Sequence, residues 1–342
     1  MELTQTQIKQ WGWRAVAALV VVFLVFPFIT TSSFQLRLLM FAFMWTGFAI
    51  AWNILSGYSG YISFGHAVFF GTGAFTSTLL LVEYDISPWI GLILGGIAAA
   101  AVAVVIGSVT FRLSGIYFGL AMLSFPLILI PVITWIGYLE ISIPFQPGRV
   151  GYMSYRGVEP YYYLALGLLL ATAAVAWQVQ RSRIGYYLRA IKGSEQAAES
   201  LGVNTFRYEI YALMISAFLS GLFGTVFAQA SFILTPAGGY GLPSSVQPVV
   251  LSVAGGLGTF FGPIVGGMLL YPLAELLRSN FSHIIPGIDR IVYGVILIVT
   301  IIFLPDGIYP GIRKYVLGRA SPDQPSETEE TATATATEES DD

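Results

Sequence analysis

The sequence predicts an all-α, polytopic membrane protein, and three observations carry that prediction. Of the 342 residues, 56% are hydrophobic and only 10% charged, with a mean hydropathy of +0.74, a composition outside the range of soluble globular chains. Apolar runs recur at the length of about 20 residues that a helix needs to cross a hydrocarbon core. Polar material is gathered instead into one island at 181–209, RSRIGYYLRAIKGSEQAAESLGVNTFRYE, which holds eight charged side chains, five of them cationic.

Taken in order, the runs predict about eight full spans, at 13–30, 36–56, 61–82, 87–108, 114–137, 160–179, 208–230 and 288–304. The first has Lys9 and Arg14 ahead of it and resembles a signal peptide. It is nearly long enough to span and no A-x-A-like site follows, so a retained helix is expected. Pro126 and Pro131 in the fifth run free backbone carbonyls, which a membrane tolerates where protein or a water-filled cavity receives them. The stretch 246–277 differs from the rest. Gly255, Gly256, Gly258, Gly262, Pro263 and the Gly266-Gly267 pair interrupt it, predicting a broken or re-entrant helix pair that meets at a Gly-Pro turn.

Charge sets the orientation. With the island in the cytoplasm, where Lys and Arg concentrate, backward counting puts Arg112, Lys9 and Arg14 inside and Glu83 and Asp85 outside. Forward counting brings Arg313, Lys314 and Arg319 inside only if 246–277 turns back on itself. Eleven of the 16 basic residues then face the cytoplasm, and both termini are expected there. The longest exterior loop, 138–160, carries Glu140, Arg149, Arg156 and Glu159, as a lid, a platform or a simple connection. Residues 1–318 are expected to form one transmembrane domain. The segment 319–342, acidic from 321 onward and poor in apolar residues, is expected to form a disordered cytoplasmic tail.

Several chemistries are excluded. There is no cysteine and there are only two histidines, so neither a thiolate site nor a multi-His metal centre is expected. No catalytic residue, cofactor or nucleic-acid partner is expected either. The spans contain almost no ionisable group of the kind that proton- or sodium-coupled carriers place within the membrane. Such a pathway suits a net-neutral polar solute and leaves the driving force to a partner.

The segment 55–80 combines glycines with hydroxyls, so it either packs closely against neighbours or lines a path. Ser63, His66, Thr72 and Thr76 are its candidate pathway residues, although an isolated histidine is more often a neutral structural group. Gly57-Tyr58-Ser59-Gly60 also matches the G-x-S-G of rhomboid-type intramembrane proteases. His66, seven residues on, is a poorly placed base for Ser59.

Within the island, Ser194 is an N-cap candidate, Glu195 suits a first helical turn, and Gly202 suits a C′ position. These signals predict a helix of about two turns, too short to stand without a surface to pack on. Ala197 and Ala198 offer close approach and Leu201 an apolar anchor. The alternative support is lipid headgroups, drawn by Arg181, Arg183, Arg189 and Lys192.

This pattern resembles the cytoplasmic coupling helix of ABC-importer permeases, marked by E-A-A, three residues, G. The match is Gln196-Ala197-Ala198 and Gly202, with the acid displaced to Glu195. The downstream Ile-x-Leu-Pro element is missing and Ala212 stands in that region. The chain is more closely similar to LivM-type permeases of the branched-chain amino acid ABC importers. That similarity rests on NILSGYSG at 53–60, SFGHA at 63–67, FFGTGAFT at 69–76, RAI at 189–191, EQAAESLGV at 195–203 and GGLGTFFGP at 255–263.

The resemblance implies a multi-pass subunit of the plasma membrane that works by alternating access. Its implied partners are a LivH-type permease, two cytoplasmic ABC ATPases and an external substrate-binding protein. ATPase-coupling residues would be Ser194, Glu195, Gln196, Ala197, Ala198, Leu201 and Gly202. The chain has no G-x-x-x-x-G-K-[ST], so ATP hydrolysis is expected on partners and not here. A urea or short-chain amide ABC permease, and a self-contained channel or carrier for a neutral solute, are the alternatives.

Overall fold

The computed structural model describes residues 18–30, 32–149, 151–281 and 288–318. Its helices are α1 (Ala18–Ile29), α2 (Ser33–Ser59), α3 (Ala67–Tyr84), α4 (Pro88–Thr110), α5 (Ile116–Ile136), α6 (Glu159–Arg181), α7 (Arg183–Gly193) and α8 (Glu195–Ser200). They continue with α9 (Thr205–Ser231), α10 (Pro236–Tyr240), α11 (Leu242–Gly256), α12 (Gly262–Phe281), α13 (Ile288–Phe303) and α14 (Ile308–Gly318). Two short strands, β1 (Ile141–Ser142) and β2 (Ile233–Leu234), pair antiparallel with Ile141 opposite Leu234. Among the described residues six helices, α2 to α6 and α9, are long and apolar enough to cross a membrane.

Local signals explain most boundaries. Ser87 caps α4 by accepting from the Trp89 amide, and Pro88 takes the first helical position, where it costs no hydrogen bond. Asn204 caps α9 by accepting from the Arg207 amide. α2 stops where Gly60 turns left-handed at φ +84°. Pro126 and Pro131 lie inside α5 without ending it.

The tightest packing joins α3, α4 and α9 through glycines. A Cβ on Gly73 would lie 2.1 Å from the Gly221 carbonyl oxygen, and one on Gly224 would lie 1.9 Å from that of Phe70. Backbones this close gain dispersion contacts that lipid cannot supply, which is how small residues drive association where there is no hydrophobic effect. Thr225 adds a hydrogen bond to the Gly73 carbonyl at 3.1 Å. α2 runs beside α9 of this trio and beside α6, α11 and α12, and is buried almost without break from Met40 to Ser59. An aromatic cluster of Trp45, Phe48, Phe70, Phe223 and Phe227 fills the space near its middle.

One boundary expectation changes. The run at 61–82 becomes a helix only from Ala67. Residues 60–66 are irregular, because Gly60 leaves the helical region and the hydroxyls of Ser56 and Ser59 offer competing local partners. The run at 288–304 forms α13 of 16 residues, short of the six longer helices. The run at 13–30 is described only as α1, and the tail at 319–342 lies outside the described residues.

The stretch 246–277 is broken into two helices as expected, but the turn is 257–261, with Gly256 and Gly258 at positive φ. Gly262 and Pro263 open α12. The glycines then let α11 and α12 lie together, since a Cβ on Gly255 would sit 2.0 Å from the Gly262 carbonyl oxygen.

At the opposite end of α2 from this turn, Asp85 ties the α3–α4 connection to the loop before α6. Arg149 bonds it at 2.5 Å, and the Tyr152 hydroxyl donates to it as well. The Arg149 hydrogen bond, then that of Tyr152, holds the Asp85 carboxyl below its ordinary value. A depressed carboxyl pKa contributes order above the unfolded value of about 3.9 and loses it as the pH falls through the folded value. Amide-exchange protection at Tyr152 is therefore expected to hold from neutral pH down to about 4 and to fall below it. Protection lost already near neutral pH would contradict the tie.

Gly73→Ala is expected to force α3 from α9 and cost about 1–3 kcal/mol, seen as a lowered melting temperature in detergent. Gly167→Ala, where nothing beyond its own helix backbone and chain neighbours lies within 4 Å of the new methyl, is expected to leave the melting temperature unchanged or slightly raised.

Candidate functional site

The polar island folds into a defined support. After α6 ends, Gly185 lets α7 double back closely, since a Cβ there would sit 2.3 Å from the Val179 carbonyl oxygen. α7 then buries Leu188 and Ile191 against the body of the protein and turns its charges outward. Arg181 and Arg189 lie over the rings of Trp177 and Tyr186, at 3.9 and 4.9 Å, where the ring faces stabilise the cations.

α8 follows with both ends closed. The Ser194 hydroxyl accepts from the Ala197 amide at 3.2 Å, and Glu195 stands in the first turn. At the other end Gly202 turns left-handed at φ +83°. The Val203 amide reaches the Ala198 carbonyl and the Gly202 amide reaches that of Glu199, the pair of bonds of a Schellman motif. A six-residue helix is far too short to persist alone; its caps and its seat hold it.

The seat is specific. Glu195 accepts from the Tyr61 hydroxyl at 3.0 Å, and Lys192 donates to the Gly57 carbonyl at 3.0 Å. Ala198 is buried in the main core. Burial, then the neighbouring carboxylates of Glu209 and Glu195, pushes the Tyr61 hydroxyl above its ordinary pKa, so it remains a donor to Glu195. The docking face expected from Ala197 and Ala198 is accordingly split. Ala198 faces inward, while Gln196, Ala197 and Leu201 are exposed, Leu201 at 85%.

The same end of α2 grips the α11–α12 turn. Asn53 donates from Nδ2 to the Thr259 carbonyl at 3.0 Å and accepts from the Gly258 amide on Oδ1 at 3.0 Å. Gly57 and Gly258 approach so closely that a Cβ on Gly57 would lie 3.0 Å from the Gly258 Cα. Farther along, Gly307, ahead of α14, packs on Gly256. α8, the end of α2, the broken-helix turn and the start of α14 therefore form one junction. A cavity of about 610 Å³ opens beside it, bordered by Tyr61, Phe64, Ser114, Lys192 and Glu195.

Ser63 and His66, expected on a helix, lie in the irregular segment 60–66 and are buried. Ser216 donates its only hydroxyl hydrogen to the Ala51 carbonyl at 2.6 Å. It therefore accepts from His66 Nε2 at 2.8 Å, and His66 Nδ1 accepts from the Ser63 hydroxyl at 2.8 Å. Fully buried and bonded only to hydroxyls, the imidazole is assigned as the neutral Nε2–H tautomer, tying segment 60–66 to α9 and through Ser216 to α2.

Thr72 and Thr76 sit half-buried a turn and more beyond, on one face of α3, and join neither this network nor the junction. Ser59 donates to the Leu55 carbonyl at 2.8 Å, and both nitrogens of His66 are occupied, so the protease-like pairing is absent. Asn53, Tyr61 and the buried Glu209 were given no site role from the sequence, and Lys192 was read there only as a cation drawn to lipid headgroups. The position of Asn53, a polar residue in an apolar run three residues before Ser56-Gly57-Tyr58-Ser59-Gly60, was the available signal for the first of them.

A family described as the permease component of branched-chain amino acid transport systems matches residues 34–301. The chain belongs to this family. The LivM permease protein of a high-affinity branched-chain amino acid transport system in Salmonella typhimurium is 26% identical to it over 325 residues, covering 86% of this chain and 74% of that protein. The nucleoside ABC transporter permease NupC of Lactococcus lactis is 24% identical, over 75% of this chain and 88% of its own length. The LivH permease protein of Escherichia coli is 27% identical over 139 residues, 41% of this chain and 44% of its own. No solved structure matches the chain significantly. Membership makes this a LivM-type, multi-pass permease of the plasma membrane, a transporter component rather than an enzyme.

For this permease, His66→Ala is expected to strand the buried hydroxyl of Ser63 and remove a partner of Ser216, at about 1–3 kcal/mol for each unsatisfied group. The measurement is the midpoint of unfolding in detergent. Ser59→Ala should keep full transport, and loss of transport with folding intact would revive a nucleophilic role.

Proposed function

We propose that this chain is one of two permease subunits of an ATP-driven importer for branched-chain or other hydrophobic amino acids. A LivH-type subunit completes the path, two cytoplasmic ABC ATPases supply the energy, and an external binding protein delivers the solute. The observation that carries this reading is the presentation of α8. It is capped at both ends and anchored through Tyr61, Lys192 and Ala198, yet leaves Gln196, Ala197 and an 85% exposed Leu201 uncovered. An apolar side chain held out on a polar segment has a reason if another protein covers it.

In this reading the α8 junction is cytoplasmic and both termini lie on that side. The cations of 181–207 and Arg112 stand at the ends of helices that converge there, while Asp85 stands at the opposite end. α11 and α12, about 22 and 30 Å long by their rise per residue, then descend to the junction and return. With α1 and α13 they supplement the six longer helices, so that eight spans and a paired hairpin cross the membrane. Residues 1–318 form the permease domain, and 319–342 a solvated tail. A push on α8 reaches Tyr61 directly and Gly57 through Lys192 at the end of α7, and from there through Asn53 the broken-helix turn.

The chain is also similar to a nucleoside permease, but LivM covers more of it; amino acids are the favoured cargo. Affinity purification from native membranes is expected to recover a P-loop ATPase with the wild type and to lose it with Ala197→Arg, whose side chain points outward and spares the fold. A wild-type chain that brings no ATPase, or moves leucine alone in liposomes without nucleotide, would defeat the proposal.

A further inference from the structure

A cavity of about 970 Å³ lies at the end of α2 opposite the α8 junction, walled by the first turns of α2, by α10 and α11, and by the outer half of α12. Its volume is at the upper end of the range of about 300–1,000 Å³ for small-molecule sites. Its lining mixes aromatic surface with charge in a chain otherwise sparing of both signs. Phe41, Trp45 and Phe227 form an apolar wall, and Arg37, Glu275 and Arg278 border the same space.

These charges are unequally engaged. Arg278 bonds Oε1 of Glu275 at 2.8 Å, one turn back on α12. The other carboxylate oxygen is left to accept from an ammonium group, because an ionised carboxylate has about four acceptor positions. Arg37 makes no ion pair among the described residues, and a guanidinium is the side chain best shaped to hold a carboxylate through two parallel bonds. The Tyr293 hydroxyl, on the same lining, is buried without a hydrogen-bond partner among the described residues.

We propose that this cavity is a binding site for a zwitterion of the α-amino acid kind. Arg37 holds the carboxylate, Glu275 receives the ammonium with Arg278 fixing its orientation, and the aliphatic side chain lies against Phe41, Trp45 and Phe227. The inference rests on the importer reading above and places a receiving site on this subunit itself. It replaces Ser63 and His66 as the solute contacts, since both are consumed by internal hydrogen bonds. A zwitterionic lipid headgroup offers the same pair of charges, so the test separates the two sources.

The test measures binding of radiolabelled leucine to the purified permease–ATPase assembly in nanodiscs, with leucinamide and 4-methylpentanoate as competitors. Leucinamide keeps the ammonium and lacks the carboxylate; 4-methylpentanoate keeps only the carboxylate. Arg37→Gln is expected to weaken leucine about ten-fold or more, the loss of a charged hydrogen-bond pair, while leucinamide binds wild type and variant alike. Glu275→Gln is expected to weaken leucine and leucinamide and to leave 4-methylpentanoate unaffected. Because each variant is compared across ligands, general misfolding, which would weaken all three, does not imitate the pattern and would count against the assignment.

Absence of leucine binding to the wild type, or equal loss for all ligands, overturns the site. So does a leucine affinity that disappears in phosphatidylethanolamine and returns in phosphatidylglycerol, with the variants altering only bound phosphatidylethanolamine; that result assigns the cavity to lipid. If the complete wild-type importer, with its binding protein and ATP, moves no amino acid, the importer reading itself fails. If it does move leucine while the variants bind as wild type, only the cavity assignment fails.

Discussion

The structure depends on satisfying backbone groups where the chain leaves the helical conformation inside a membrane protein. Between Ser59 and Ala67 the amides and carbonyls have no helical ladder, and Ser63, Gly65 and His66 are buried away from the water that could replace it. Side chains take over. Trp52 donates to the Ser63 carbonyl at 2.7 Å, Ser56 accepts from the Ser63 amide at 3.2 Å, and the His66–Ser216 bond carries the tie to α9. α5 closes over the segment so tightly that a Cβ on Gly65 would stand 2.1 Å from the Met122 carbonyl oxygen. Because this segment is fixed, Tyr61 is fixed, and with it the seat of α8.

The general class was legible because lipid imposes a simple rule on sequence: long apolar runs, interrupted by short polar ones. The glycine interruption at 255–262 and the capping residues Ser194 and Gly202 were legible because each acts on its immediate neighbours. What escaped were relations between distant residues. Asn53 and Gly258 are separated by 205 positions, Tyr61 and Glu195 by 134, and nothing local to either partner records the pairing. Ala198 shows the same limit: its small size announces close approach, but whether to a partner protein or to its own chain depends on how α7 docks. The start of α3 was misplaced because hydropathy registers Gly60, Tyr61 and Ile62 as apolar and is blind to a left-handed glycine.

α2 joins the two sites. Its 27 residues span about 40 Å, with Arg37 near one end and Asn53 and Gly57 near the other. A helix transmits displacement along its axis unless a proline, a bulge or an inserted group kinks it, and α2 has no proline. The α11–α12 hairpin is attached to it by the two Asn53 hydrogen bonds at the turn and by the close fit of Gly267 against Thr46 midway. In the proposed importer a load on α8 would pass through Tyr61 and Lys192 to the end of α2 and along it toward the far cavity.

The glycine contacts among α3, α4 and α9 also bear on how the protein is made. α3 and α4 leave the ribosome about a hundred residues before α9, yet the face of α3 at Gly73 and the carbonyl that Thr225 bonds are completed only by α9. His66 likewise waits for Ser216. During synthesis the first half of the chain must remain in the bilayer with His66 Nε2 unpaired and a groove open between two helices. The late arrival of α9, and not the insertion of the earlier helices, is then the step that converts a set of independent spans into a permease. A chain cut short before residue 205 would present that open groove to the cell's membrane quality control.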